Sequence, residues 1–196
     1  MKWNGVLIVG ILLVILLGFF VFAATTILQD ANTENLKDSY VDNFCCPDRK
    51  NNNYGTSTAL IVGGTSSTIN AYITFNISEF SNPLTQVYDS FLYLYLSSAS
   101  GPTGALANVT VQHVYLDWRN GTDGSTGNIL NETELTYSNK PIGNYSYYNS
   151  STLIRTQINE SETGQWYKWN VTNYVKNESA SGSKNITFVL SRVSGS

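Results

Sequence analysis

The chain has 196 residues, a length that suits one domain once a leader is set aside, and its net charge of −3 leaves no basic surface for nucleic acid. Charged residues make up 13%, about half the ordinary share, and aromatics also make up 13%, with 13 tyrosines. Polarity therefore rests on Asn, Ser and Thr, and with few carboxylates to protonate such a composition tolerates acid.

Met1-Lys2 precedes an apolar run from Val6 to Ala24, VLIVGILLVILLGFFVFAA. The run is long for a signal-peptide core and just long enough to cross a bilayer as a helix. Val21-Phe22-Ala23 sets small residues at the −3 and −1 positions of a cleavage after Ala23. Residues 1–23 thus read as a hydrophobic helical signal segment. The alternative is an uncleaved anchor with Lys2 inside, the only case in which the membrane is a partner. A pilin-type leader would need a basic-small pair before the run, which Lys2-Trp3-Asn4-Gly5 lacks. Both surviving readings place residues 25–196 outside the cell, at its surface.

Residues 24–37 (ATTILQDANTENLK) read as an extended polar arm whose apolar cluster is Thr26-Ile27-Leu28. Residues 38–196 then read as one β-rich domain. Period-two alternation with β-branched and aromatic residues marks strands at Ala59–Val62, Asn70–Ile77, Tyr88–Leu96, Asn108–Leu116, Leu153–Ile158, Trp166–Val171 and Asn185–Leu190. Turn residues part them: Asn53-Tyr54-Gly55, Gly63-Gly64, Asn82-Pro83, Gly101-Pro102, Gly121–Gly127 and Gly182. No long stretch of helical period follows residue 24. The expected fold is all-β, a jelly-roll-like antiparallel sandwich, and the lack of crossover helices excludes a parallel α/β sheet.

Alternation also assigns faces. Leu92, Leu94 and Leu96 should enter the core, leaving Phe91, Tyr93 and Tyr95 as an outward aromatic stripe. Ile186, Phe188 and Leu190 should face in, and Asn185 with Thr187 out. Asn108 and Thr110 likewise oppose Val109 and Val111. Trp166 and Trp169, three apart, fall on opposite faces, so at most one is a platform for sugar rings.

Ten Asn-X-Ser/Thr sequons occupy the stretch from Asn76 to Thr187: Asn76, Asn108, Asn120, Asn131, Asn144, Asn149, Asn159, Asn170, Asn177 and Asn185. Their density predicts a heavily N-glycosylated exported protein, since sequons have consequences only outside the cytoplasm. Cys45 and Cys46 are the only cysteines and are adjacent. They close a strained ring, pair with other chains or stay reduced; they cannot staple distant strands of one chain.

Catalytic chemistry is sparse. His113 is the only histidine, read as a structural partner of Asp117. Nothing marks a nucleophile elbow or a metal spacing, and Gly63-Gly64 is a turn rather than a phosphate loop. The chain reads as a non-enzyme without cofactors or a transition-metal site. Asp38, Asp42 and Asp48 are candidates for a structural Ca²⁺, against the plainer reading of exposed loop carboxylates.

Segments in order along the exported part resemble the DNRLRE family, a disaggregatase-related β-sandwich classed among carbohydrate-binding modules. Asp38-Ser39-Tyr40-Val41 looks like its opening strand. Asn53-Tyr54-Gly55-Thr56-Ser57-Thr58-Ala59-Leu60 with Val62-Gly63 resembles its Asn-Tyr-Gly stretch. Tyr72–Ser78 and Ser90–Leu96 resemble the next strands. Asp117-Trp118 and Leu135–Pro141 look like its Asp-Trp and Thr-Trp-Asn-x-x-Pro segment, and Gly164-x-Trp166 with Trp169-Asn170-Val171-Thr172 its Trp-rich ending. Tyr137 stands where the family has Trp, the insert 119–134 is rich in sequons, and a closing strand usual after Phe188–Leu190 is missing. That gap implies an open groove and an unpaired edge.

Two functional readings follow. In the first, the chain is a structural surface protein, a homopolymeric filament subunit whose arm, through Thr26, Ile27 and Leu28, fills the groove of the next copy. Its layout is similar to that of archaeal thread filament subunits. In the second, implied by the family resemblance, it is a carbohydrate-binding or adhesive module with cell-surface glycans as partners; no residue is assigned to such a site.

Overall fold

A computed structural model describes residues 6–14, 21–29, 36–43, 47–63, 69–80, 87–99, 106–114, 134–140 and 154–193, with the backbone alone at 6–14, 21–29 and 47–48. Its strands are β1 (Val6–Val14), β2 (Val21–Gln29), β3 (Leu36–Asp42), β4 (Ile69–Asn76), β5 (Val87–Leu96), β6 (Leu106–Val114), β7 (Ile154–Asn159), β8 (Gln165–Asn170) and β9 (Asn185–Val193). One helix, α1 (Thr172–Ala180), separates β8 from β9. The strands form a four-stranded sheet in the order β2-β1-β5-β8 and a five-stranded sheet in the order β3-β4-β9-β6-β7. Neighbouring strands run antiparallel in both sheets. This is the expected all-β sandwich.

The core lies between the sheets and is filled by alternate residues. β4 sends in Ala71, Ile73 and Phe75, β9 sends in Ile186, Phe188 and Leu190, and β6 sends in Val109 and Val111. From the other side come Leu92 and Leu94 of β5 and Trp169 of β8. Trp169 reaches across: its indole Nε1 donates to the Val109 carbonyl at 3.1 Å. A buried indole N–H needs such an acceptor, and this one sits on the opposite sheet.

Three expectations differ from the fold. First, the described parts of the apolar N-terminal run, in β1 and β2, are strand rather than helix. β1 pairs with β5 along Val6–Ile11, and β2 covers β1. An apolar run rich in Val and Ile carries no period that separates helix from strand, and here an open sheet edge supplies the hydrogen bonds. Second, Ala59–Val62 forms no strand; Gly63 makes a lone bridge to Ile69. Third, the face of the five-stranded sheet that carries Thr110 and Thr187 is covered. Both threonines are almost fully buried, and Asn108 and Asn185 are half-buried. Leu135 packs there on Val41, Tyr72, Val114 and Val189. Its segment is tied down by Asn53 Nδ2 to the Leu135 carbonyl (2.8 Å) and by Ser138 N–H to the Lys50 carbonyl (3.0 Å). Polar groups on this face satisfy one another, as in Thr74–Thr187 at 2.7 Å and Ser191 Oγ to Asn70 Oδ1 at 2.7 Å.

α1 packs the opposite end. Val171, Tyr174 and Val175 enter the core, and Glu178, one turn on, is buried against His113. The separation is 3.4 Å from His113 Nε2 to Glu178 Oε1. Glu178 is thus one partner of His113; Asp117, the partner expected from sequence, lies outside the described residues. Burial lowers the His113 pKa to about 3 and raises that of Glu178 above the usual carboxylate range, the latter partly offset by a hydrogen bond with Ser183.

The signs of these shifts predict a pH response. His113, depressed in the folded state, contributes stability that is complete above its unfolded value near 6.5 and drains away as pH falls toward 3. Glu178 works oppositely, its contribution present below 4.5 and lost as pH rises through its raised value. In His113→Gln, a side chain that does not titrate, the melting-temperature deficit relative to the parent should shrink between pH 7 and pH 4. A deficit constant across that range would refute the assignment.

Candidate functional site

β5 and β8 lie side by side in the four-stranded sheet, and their register sets the site. Phe91 pairs with Asn170, Tyr93 with Lys168 and Tyr95 with Trp166. These positions share the face away from the core, because Leu92, Leu94 and Trp169 between them point in. The outward aromatic stripe is therefore present, and β8 widens it with Trp166, which is 52% exposed while Trp169 is buried. Spacing by three had placed the two tryptophans on opposite faces.

The rings form two pairs. Tyr95 and Trp166 lie 5.4 Å apart between centroids with planes tilted by 58°. Phe91 and Tyr93 lie 6.3 Å apart, also tilted by 58°. Lys168 reaches over Phe91, its Nζ 5.4 Å from the ring centre. At the Tyr95 end the chain reverses through Gly164, whose φ of +81° suits glycine, and whose N–H donates to the Leu96 carbonyl at 2.8 Å. At the other end Asn170 is exposed. The result is a row of about 13 Å on a rigid sheet, apolar in its ring faces and polar at its ends. Aromatic faces of this kind take up the apolar faces of sugar rings, and the phenol, amine and amide groups around them serve the hydroxyls.

The other candidate residues lie elsewhere. Thr26, Ile27 and Leu28 fall in β2 of the same chain, opposite Val9, Ile8 and Leu7. Cys45 and Cys46 lie outside the described residues, as do the sequons Asn120, Asn131, Asn144 and Asn149. Of the described sequons, Asn170 and Asn177 are exposed and Asn76, Asn108, Asn159 and Asn185 are half-buried. In three of them the Asn Oδ1 accepts the N–H two residues on: Asn76 from Ser78 (2.9 Å), Asn159 from Ser161 (3.1 Å) and Asn170 from Thr172 (3.1 Å). Asp42 is held by Arg49 at 2.8 Å, and among the described residues no three acidic, Cys or His side chains converge as metal ligands. Lys140 stands 3.1 Å from the centre of the Tyr137 ring, with its pKa lowered to about 8 by burial and by Lys50. It lies on the covering segment of the other sheet, away from the platform.

Sequence reasoning found Phe91, Tyr93 and Tyr95 but assigned no sugar-binding residue. The missing step was the β5–β8 pairing, which sets Trp166 beside Tyr95. No curated protein matches the chain. The family model described as carbohydrate-binding module family 96 matches residues 29–196. That span takes in the whole of β3 to β9, including both strands of the aromatic face, and the chain belongs to this family.

Proposed function

We propose that the chain binds a carbohydrate on the outer face of β5 and β8, with sugar rings stacked on Tyr95 and Trp166 and the chain of sugars running toward Tyr93 and Phe91. The observation that carries this is Trp166, a large apolar side chain left half in water beside Tyr95, while Trp169 of the same strand is buried. Family membership supports the same reading, and the finer likeness to DNRLRE sandwiches is part of it. Truncating a stacked aromatic removes about 2 kcal/mol, roughly thirtyfold in Kd. Across a polysaccharide panel in affinity electrophoresis and calorimetry, Trp166→Ala and Tyr95→Ala should each weaken the best ligand by about that factor, with the melting temperature unchanged. Equal affinity in the parent and both variants would remove the site.

The protein acts outside the cell in this proposal, after cleavage following Ala23, and carries sugars on its sequons. Asn170 and Asn177 are the most accessible of those described. A glycan at Asn170 would confine ligand to the Tyr95–Trp166 end. Intact mass and peptide mapping of protein from its native source should show a mature N-terminus at Ala24 and occupied sequons. An unmodified polypeptide beginning at Met1 would refute both.

One observation favours a second reading, a thread-like filament subunit. β1 covers the β5 edge from Val87 to Tyr93, and a cleavage after Ala23, within β2, would remove β1 and free that edge. An open edge is a template for a strand from another copy, here the arm with Thr26, Ile27 and Leu28. Residues 24–196 should then assemble into filaments visible by electron microscopy, and residues 36–196 should not. Monomers in both cases, with equal melting temperatures, would discard it.

A further inference from the structure

Behind the aromatic face, between the two sheets, lies a cavity of about 300 Å³. Its walls are mainly aliphatic: Leu94 and Leu96 of β5, Ile158 of β7 and Leu190 of β9, with the Trp169 ring at one side. Arg192 and Glu160 also line it and pair at 3.0 Å from Nη2 to Oε1. The second oxygen of Glu160, Oε2, is buried without a hydrogen-bond partner. Buried carboxylate oxygens are rarely left so, because the loss of hydration is uncompensated. Ile61, which lines the cavity, is 43% exposed, a large apolar side chain left in water beside an apolar cavity.

This set of groups does not suit a free sugar. A sugar ring buried among the aliphatic residues would lose its hydration to walls that return few hydrogen bonds. An aliphatic chain fits the walls, and the Glu160–Arg192 ion pair among them offers charged partners to hydroxyls at its head. The size lies at the lower end of the range of about 300–1,000 Å³ for small-molecule pockets. We propose that this cavity binds the alkyl chain of an amphipathic glycoside, with the sugar head against Glu160 and Arg192. Leu94 and Leu96 alternate with Tyr95 along β5, and Tyr167 of the cavity wall follows Trp166 along β8. Cavity and platform are thus opposite faces of the same end of the same two strands. The inference goes beyond the platform reading and does not depend on it.

The probe is n-octyl β-D-glucoside, titrated below its micellar concentration into the chain and followed by calorimetry, with methyl β-D-glucoside as the short-chain control. Saturable one-to-one binding of the octyl compound and none of the methyl compound is expected. Ala107→Leu, which adds bulk to the wall, should weaken octyl binding at least about tenfold, the scale set by one or two methylenes in an apolar pocket. If that variant fails to fold, Glu160→Gln serves: it keeps the volume and loses the carboxylate, and affinity for octyl glucoside should fall by about the same factor, as for a lost charge-assisted hydrogen bond. Trp166→Ala should leave octyl binding intact even where polysaccharide binding is lost, so the two readings fail separately. Non-saturable uptake, equal binding of both glucosides, or binding indifferent to the wall and to Glu160 would overturn the proposal.

Discussion

The two sheets of this molecule are joined across their core at Trp169. Among the described residues it is the largest side chain buried between them, and its indole N–H is tied to the backbone of β6 on the far side. The ring therefore sets both the spacing of the sheets and their lateral position. Its orientation also dictates that of Trp166, since three residues of extended chain separate them and the pleat sends them to opposite faces. A second tie, Thr156 Oγ1 to the Lys168 carbonyl at 2.8 Å, holds β7 against β8 at the same side of the sandwich. The aromatic row is thus carried by strands fixed from behind, which keeps ring positions constant without a ligand and spares the cost of ordering them on binding.

The end of β8 is fastened by a compact set of bonds. Val171 N–H donates to the Ser90 carbonyl at 2.9 Å, and the Ser90 N–H donates to Thr172 Oγ1 at 2.8 Å. The Thr172 hydroxyl in turn donates to the Ser90 carbonyl at 3.3 Å. This clasp stops β8, starts α1 and fixes the register of β5 against β8 at Asn170. Tyr174 of α1 then packs on His113 and Phe188, with centroids at 5.5 and 6.2 Å, so the helix closes the core at the end away from the cavity.

Where a strand has one face in the core and one in water, alternation is nearly a drawing of the structure. Phe91–Leu96 and Asn185–Leu190 show this, and so does the pair Trp166 and Trp169. The signal weakens when the second face is also covered. Thr110 and Thr187 look like surface residues in one dimension, yet they are buried on a sheet face where Leu135, from a distant segment, also packs. Helix α1 does carry a 3.6-residue stripe at Val171, Tyr174, Val175 and Glu178. The fourth member is a carboxylate, and the reason it can be buried, His113, lies on another strand. The apolar N-terminal run fails for a different cause: its composition serves a bilayer, a cleaved leader or a sheet equally, and the choice belongs to the surroundings. The platform needed a cross-strand register, which no single stretch of sequence contains.

At Asn76 and Asn170 the sequon side chain bends the chain through its amide oxygen, whereas at Asn159 the nitrogen is engaged as well, donating to Glu162 Oε1 at 2.9 Å. At Asn170 the oxygen receives the Thr172 N–H and helps begin the helix, while the nitrogen, the atom to which a sugar is joined, makes no demand on that turn. At this position folding and the proposed sugar attachment would draw on different atoms of one side chain, so the turn could close after a sugar is added. The same division separates two substitutions that are usually treated as equivalent: Asp at this position keeps the bend and forgoes the sugar, whereas Gln, one methylene longer, gives up both.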